Sequence, residues 1–425
     1  MTLFDHTNQV YDVAIIGGGI VGLATAREFL LRYPELRLIV IEKEPLLAQH
    51  QTGHNSGVLH AGIYYAPGSL KAKACVEGRA AMVHYCQEKG IRYELCGKLI
   101  VALTEAEVER LMMLWERAVT NQVPGVQLVG KDGIAEKEPY AQGIKAIWSP
   151  NTGIVDWSEV ARAFADDVLA AGGSILTNTK VVRLSAHSSE TRIGCVSSTN
   201  DDSEIRARFA ITCAGLQSDR LAQMTEKNIG MKIVPFRGDY YQIAPEKAHF
   251  CRGMIYPVPE PDFPFLGVHL TRHIDGTVWA GPNAVLAFRR EGYRRWDIHP
   301  VELAETLLYP GFWRLARKYW KTGLREMYRD CVKRAYVREL QKYTPSIQAS
   351  DLIAEKSGVR AQALDIQGNL VDDFVIRQGD RIAHVQNAPS PAATSALVIA
   401  RMIADAVEDK SSGAFGRSAR HGTGA

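Results

Sequence analysis

A chain of 425 residues is too long for a single hydrophobic core and implies two domains. With 46% hydrophobic and 23% charged residues and a formal net charge of only +3, it has the composition of a soluble globular protein and lacks the charge excess expected of a nucleic-acid binder. The cysteines, at 75, 86, 96, 195, 213, 251 and 331, are scattered, odd in number and form no C-x-x-C pair. That argues against a disulfide framework or a structural zinc site, for a reducing compartment, and for no bound metal. The first ten residues are polar and mixed in charge, unlike a signal or transit peptide, and no apolar run approaches membrane-spanning length. The expected location is the cytoplasm.

Val10–Ile16 reads as a buried parallel strand. It runs into Gly17-Gly18-Gly19-Ile20-Val21-Gly22, a G-x-G-x-x-G turn. Gly17 permits the tight turn, Gly19 lets a pyrophosphate approach the backbone, and Gly22 lets the following helix pack on the strand. The helix stops near Tyr33-Pro34. Leu38–Ile41 is the second strand, and Glu42 stands 20 residues after Gly22, where an acid accepts from both ribose hydroxyls of a dinucleotide. A lone glycine motif is a weak signal; with strand, helix and acid in place it is a strong one.

The stretch His50–Tyr65 is rich in Gly, His and small polar residues and reads as a backbone-rich loop. A helix over Ser69–Lys89, a strand over Leu99–Leu103 and a capped helix from Thr104 to Thr120 follow. The helix Trp157–Ala171, stopped by Gly172-Gly173, leads to strands at Ser174–Leu184 and Ile205–Thr212. A β-α-β pattern thus resumes after an interruption, as in a dinucleotide domain carrying an insertion. From Ile233 to about Gly281, including Phe265-Leu266, the chain is strand-like with many aromatics and prolines, which suggests an antiparallel sheet with a functional face. Pro310–Tyr343 reads as basic, aromatic helix, and a last helix as Ala392 to about Val407. The tail 409–425 reads as disordered.

These blocks carry a resemblance. The fingerprint, Asn55–Gly62, Ala214-Gly215, Gly358–Arg360 and the closing helix together resemble the glycine oxidase / D-amino-acid oxidase fold family of flavoproteins. Gln51–Ala72, Pro235–Glu246, Tyr256–Arg272, Gly281–Tyr293, Gly358–Ala363 and Asn387–Ala400 are similar to the L-2-hydroxyglutarate oxidases and dehydrogenases within it. The resemblance spans about residues 11 to 405.

It implies an α/β fold: a discontinuous Rossmann-type FAD-binding domain (10–90, 152–222 and 352–408) with an antiparallel-sheet substrate domain (91–151 and 223–351). It implies noncovalent FAD, since the Trp before His60 that marks some covalent relatives is missing. FAD would be held by Gly17, Gly19, Ile20, Val21, Gly22, Glu42, Lys43, Thr52, His54, Asn55, Ser56, Gly57, Val182, Ala214 and Gly215. Pro389, Ser390, Pro391, Ala392, Ala393 and Thr394 would present a helix N-terminus to the flavin pyrimidine. The implied reaction is oxidation of L-2-hydroxyglutarate to 2-oxoglutarate, with electrons passed to a membrane quinone or to oxygen. The alternatives are an amine or amino-acid oxidase of the same fold, or a non-catalytic flavin-binding redox module.

Oxidation of a 2-hydroxy acid needs a cation for the carboxylate and a base for the hydroxyl proton. Arg360 is the first choice for the cation, because a guanidinium fork matches a carboxylate. The substrate's second carboxylate needs another, and Arg237, Arg272 and Arg289 compete for it. His60 is the first choice for the base, as an imidazole titrating near neutrality, and His269 is its rival. Tyr64, Tyr241 and Tyr256 are candidate donors to the distal carboxylate. Between Arg314 and Lys342 ten Lys/Arg stand against three acids, beside Phe312, Trp313, Tyr319 and Trp320. This segment, 312–342, suits an anionic membrane surface as well as a solvated helical face, so peripheral attachment to the inner face of the cell membrane is expected.

Overall fold

In a computed structural model, residues 9–260 and 266–410 are described. Phe265, the start of the chain and the expected disordered tail beyond Lys410 lie outside the described residues. The chain forms two compact units, one from 1–52, 158–229 and 374–425, the other from 53–157 and 230–373. Residues 53–90 pack within the second unit, whereas the sequence boundaries assigned them to the FAD-binding domain.

The first unit is built on a sheet of eight strands among the described residues. Its five parallel strands run in the order Ser174–Leu176, Leu38–Ile41, Val10–Ile16, Asp202–Thr212, Ile382–Asn387. The register pairs Ile16 with both Ile41 and Thr212. The strand ends that carry Gly17, Glu42 and Ala214 therefore align at the carboxyl edge of the sheet, where open α/β sheets bind ligands. The helix Ile20–Arg32 buries Leu23, Ala26 and Phe29, each large side chain contributing about 1.5–3 kcal/mol. Its last turn is tied to the closing helix Ala396–Lys410 by Arg32, which pairs with Asp405 and Glu408. The single strand expected over Ser174–Leu184 is two, Ser174–Leu176 and Thr179–Ala186. They break at Asn178, whose φ of +54° is a left-handed conformation that Asn tolerates.

The second unit contains a nine-stranded sheet among the described residues. Neighbouring strands run Val285–Leu286, Met231–Ile243, Val278–Gly281, His269–Arg272, Met254–Pro257, Lys98–Ala102, Lys145–Ser149, Gln127–Gly130, and Leu352–Asp365 lines the other edge of Met231–Ile243. The pairing is antiparallel except between Met254–Pro257 and Lys98–Ala102. Alternation along the strands sorts two faces. Leu99, Val101, Ile255 and Leu270 enter one core with Tyr336 and Leu340. Ile100, Ala102, Met254 and Tyr256 enter another with Leu111 and Ile147. His269 and Thr271 alternate with Leu270, and Lys98 with Leu99, so His269, Thr271, Tyr256 and Lys98 share the second face. That sharing creates the polar cluster described below. No helix among the described residues is long and apolar enough to cross a membrane.

Candidate active site and cofactor cradle

In the first unit the glycine turn is built for close backbone approach. Gly17 has φ +116°, and a Cβ there would stand 2.4 Å from the Cys213 carbonyl oxygen; at Gly22 it would stand 2.0 Å from the Gly17 oxygen. Neither position accepts a side chain. Gly19 differs: the nearest atom to its would-be Cβ is Thr52 Oγ1 at 3.4 Å, so the space above it is open to a ligand. Gly19 caps the helix Ile20–Arg32 without a side-chain bond, and the first turn holds no acid. Ile20 N–H donates to Thr52 Oγ1 at 3.1 Å; the N–H groups of Val21 and Gly22 are the ones a pyrophosphate would accept from.

Glu42 is held in place by two backbone donors. Gly18 N–H donates to its Oε2 at 2.7 Å and Glu44 N–H to its Oε1 at 2.9 Å. Each oxygen keeps acceptor capacity for a hydroxyl. Lys43 turns toward Glu44 and His50. Val182 is exposed on its strand. Gly215, following Ala214, has a would-be Cβ 2.8 Å from Gln51 Oε1. The segment Pro389–Thr394 forms turns, with Ala392 N–H donating to the Pro389 carbonyl. The closing helix starts at Ala396 rather than at Ala392. The donor set and the backbone clearances fit FAD's pyrophosphate and ribose.

In the second unit, Asn55 Oδ1 accepts from Gly57 N–H at 2.8 Å, an Asx turn that closes on Gly57 at φ +67°. Ser56 lies within it. His54 Nδ1–H donates to the Ser357 carbonyl at 2.9 Å, and its ring stacks 4.0 Å from that of Tyr293. Gly358 makes the approach possible, because a Cβ there would lie 2.5 Å from the His54 oxygen.

The same unit gathers a buried polar cluster. His269 is 4% exposed and stacks on Tyr256 at 3.8 Å. Its Nδ1 lies 2.8 Å from the Gly267 carbonyl. A carbonyl only accepts, so Nδ1 carries the proton and Nε2 keeps its lone pair. Burial, with Arg360 and Lys98 nearby, lowers the His269 pKa to about 3. His60 is lowered to about 3 as well, by burial and by Lys98, His269 and Lys71. Both rings are therefore neutral throughout the physiological range, and neither titrates near neutrality as the sequence reading expected. Arg360, on the strand Leu352–Asp365, lies near Tyr240, Glu326 and Tyr256, and burial lowers its pKa. Its Nη1 is 3.5 Å from the Asn283 carbonyl, at the edge of a hydrogen bond.

Sequence reasoning missed two members. Lys98 is 1% exposed, with its ammonium 4.6 Å from the Tyr64 ring centre and 4.9 Å from that of Tyr256. It opens the apolar run Lys98-Leu99-Ile100-Val101-Ala102 and reads as a solvated strand end. Tyr240, the neighbour of the expected Tyr241, lies near Arg360 together with Tyr256. Tyr241, one residue on, faces the other side of the strand and packs on Tyr336. Tyr240 also lines a small cleft with His54, Asn55 and Trp279.

The other arginine candidates are not brought to this cluster. Arg237 is 3% exposed and its fork is taken by Asp239, at 2.8 and 3.1 Å, with Asp330 at 3.3 Å. Arg272 alternates away from His269 and pairs with Glu94 at 2.6 Å on a partly exposed surface. Arg289 is exposed.

Comparison with known proteins agrees with this geometry. The profile of the FAD dependent oxidoreductase family matches residues 12–406. The mitochondrial L-2-hydroxyglutarate dehydrogenase of Nematostella vectensis is 53% identical over 417 residues, covering 95% of this chain and 91% of that protein. The human mitochondrial enzyme of the same name is 50% identical, over 94% and 89%, and the L-2-hydroxyglutarate dehydrogenase of Indibacter alkaliphilus 47%, over 92% and 96%. Among solved structures, the FAD-bound L-alpha-glycerophosphate oxidase of Mycoplasma pneumoniae superposes with a TM-score of 0.76 at 23% identity, over 94% and 95% of the two chains. Glycine oxidase of Bacillus cereus gives 0.67 at 17%, over the same shares. The fold class expected from the sequence is borne out, and the chain belongs to the FAD dependent oxidoreductase family of enzymes.

Proposed function

We propose that the protein oxidises L-2-hydroxyglutarate to 2-oxoglutarate. The observation that carries this reading is the buried cluster of Arg360, His269, His60 and Tyr256 in a chain whose relatives bear that name. Gly17, Gly19, Val21, Gly22, Glu42 and Thr52 would hold FAD, which supplies a two-electron acceptor. Arg360 offers the guanidinium fork for the carboxylate beside the hydroxyl carbon. His269 Nε2, whose lone pair is fixed by the Nδ1–H bond to Gly267, takes the hydroxyl proton, and His60 lies beside it. Tyr256 holds the His269 ring in plane, and burial excludes water. In an anaerobic mixture the bound flavin should be bleached by L-2-hydroxyglutarate, with stoichiometric 2-oxoglutarate, and not by the D-enantiomer or L-glutamate. Bleaching by L-glutamate alone would replace this reading with amine oxidation.

Electrons would leave to a membrane quinone or to oxygen, with the protein resting on the inner face of the cell membrane. The helix Pro310–Cys331 supports the membrane part. Its buried stripe is Gly311, Leu315, Glu326 and Asp330. The helical path breaks at Tyr319 (φ −115°, ψ 20°); Trp313 before it and Trp320, Leu324, Met327 and Tyr328 after it are each more than half exposed. The acids Glu326 and Asp330 face inward to Arg329 and Arg237, which leaves the outer surface basic and aromatic, as in an interfacial helix. Flotation with anionic and neutral vesicles at low and high salt tests this, since each basic residue near an anionic leaflet contributes roughly 1 kcal/mol, screened by salt. Equal partition between the two lipids would refute an electrostatic attachment.

A further inference from the structure

The cluster holds one ammonium that the reaction as described does not use. Lys98 is among the most completely buried large side chains of the protein, and a buried ammonium is costly unless it is paired. Among the described residues no carboxylate pairs with it and no acceptor takes a hydrogen bond from it. What it has are the faces of Tyr64 and Tyr256, at 4.6 and 4.9 Å. Such cation–π contacts recover only part of the lost hydration. Tyr64 adds a second unsatisfied group, because its hydroxyl is buried without a hydrogen-bond partner. A fold that keeps a cation and a hydroxyl donor together in its interior, with no internal anion, is arranged for an anion that arrives with a ligand.

The position of Lys98 relative to Arg360 says which anion. Both cations act on the same ring, His269. Tyr256, stacked on that ring, neighbours both: it lies under the Lys98 ammonium and is among the groups acting on Arg360. The proton acceptor thus feels both positive charges. We propose that Lys98, with the Tyr64 hydroxyl, binds the distal carboxylate of the substrate, and that this pairing makes the site specific for a 2-hydroxy dicarboxylate over a 2-hydroxy monocarboxylate. This rests on the function proposed above. It also assigns the second cation to a residue other than Arg237, Arg272 and Arg289. Both carboxylates arrive together and offset the two charges that add to burial in depressing His269, so a diacid raises the basicity of its own proton acceptor more than a monoacid does.

The groups facing Lys98 are Cys75, His60, His269, Tyr64 and Tyr256, with Lys71 and Arg79 beyond Cys75. Cys75 is pushed up to about 12 by burial and stays neutral, as do both histidines and both tyrosines. None supplies a negative charge, and burial lowers Lys98 to about 7. The unliganded site therefore loses its distal cation as pH rises through that value.

The test compares wild type with Lys98→Met, a neutral replacement of similar length, using L-2-hydroxyglutarate and L-2-hydroxybutanoate. The kcat/KM ratio of diacid to monoacid should fall roughly 10- to 150-fold in the variant, the worth of one hydrogen-bonded charge. Calorimetry of the same proteins with glutarate, which cannot react, should show binding lost in the variant. In unmodified protein the ratio should decline above about pH 7 and be flat in Lys98→Met, a measurement that stands even if the variant folds poorly. A ratio unchanged by the substitution and by pH overturns the proposal. So does an equal loss for both acids, which would make Lys98 a base or a packing residue. If wild type binds glutarate through Lys98 but does not oxidise L-2-hydroxyglutarate, the proposed reaction fails while the dicarboxylate site stands.

Discussion

The two units handle charge in opposite ways. In the first, the proposed cofactor cradle is main-chain work. Glycines clear the path, helix N–H groups lack side-chain caps, and the one candidate acid, Glu42, is itself held by two backbone donors. In the second, the proposed substrate site consists of side chains buried together, two of them histidines kept neutral and two of them cations. The first arrangement is written in spacing along the chain. The second exists only after strands from 91–151 and 230–373 have joined one sheet. Backbone sites therefore fail by steric exclusion, and side-chain sites fail by loss of one charge or one proton.

The largest effect should come from the backbone side. Gly22→Ala forces a Cβ to within 2.0 Å of a carbonyl oxygen that cannot move independently of the strand. The purified variant should carry no flavin, as read from its visible spectrum; stoichiometric FAD would break the contrast at its first term. On the other side, His269→Asn should leave flavin content intact and slow flavin reduction by roughly 10²–10⁴-fold, the range for a positioned base. Normal reduction would move the base to His60.

How much of this was legible follows the same division. The G-x-G-x-x-G turn, Glu42 and the β-α-β order needed only local spacing, and they stand where the sequence put them. The candidates for the second cation, Arg237, Arg272 and Arg289, did not, because pairing is a tertiary fact. Arg237 and Arg360 look alike in sequence, but Asp330, which occupies Arg237, comes from a helix 93 residues further on. Lys98 was hidden because a charged residue at the head of an apolar strand ordinarily reaches water. Tyr240 was exchanged for Tyr241 because two adjacent tyrosines read alike until the strand's faces are assigned, and Tyr241 falls on the face that packs on Tyr336. The histidines were expected to titrate near neutrality because burial beside two cations leaves no local signature.

Two smaller effects sharpen the contrast. Arg237→Met leaves Asp239 without its cation and Asp330 with Arg295 alone, and should cost about 3 kcal/mol of stability, the low end for a broken buried pair, read by denaturant unfolding, with little change in KM. A shift confined to KM would make Arg237 a substrate ligand after all. The buried histidines give a pH signature of known sign. Their folded pKa values, about 3 for His60 and His269, lie below the unfolded value of roughly 6.5. The unfolded chain binds more protons between these values, so stability is full above about pH 6.5 and declines as pH falls toward 3. His269→Asn should flatten that decline in a melting-temperature series, and an identical slope would show that the ring is protonated in the fold.

The most direct test of the account sets two arginines side by side. Arg360→Lys and Arg272→Lys both keep a charge and lose a fork, and both residues were candidates on sequence. In anaerobic stopped-flow with L-2-hydroxyglutarate, Arg360→Lys should bind the substrate more weakly and reduce the flavin more slowly, by roughly 10-fold or more in the combined constant. Arg272→Lys, whose partner is Glu94 at the surface, should follow wild type. The reverse result, with Arg272 sensitive and Arg360 indifferent, would place the oxidation outside the His269 cluster and contradict the account.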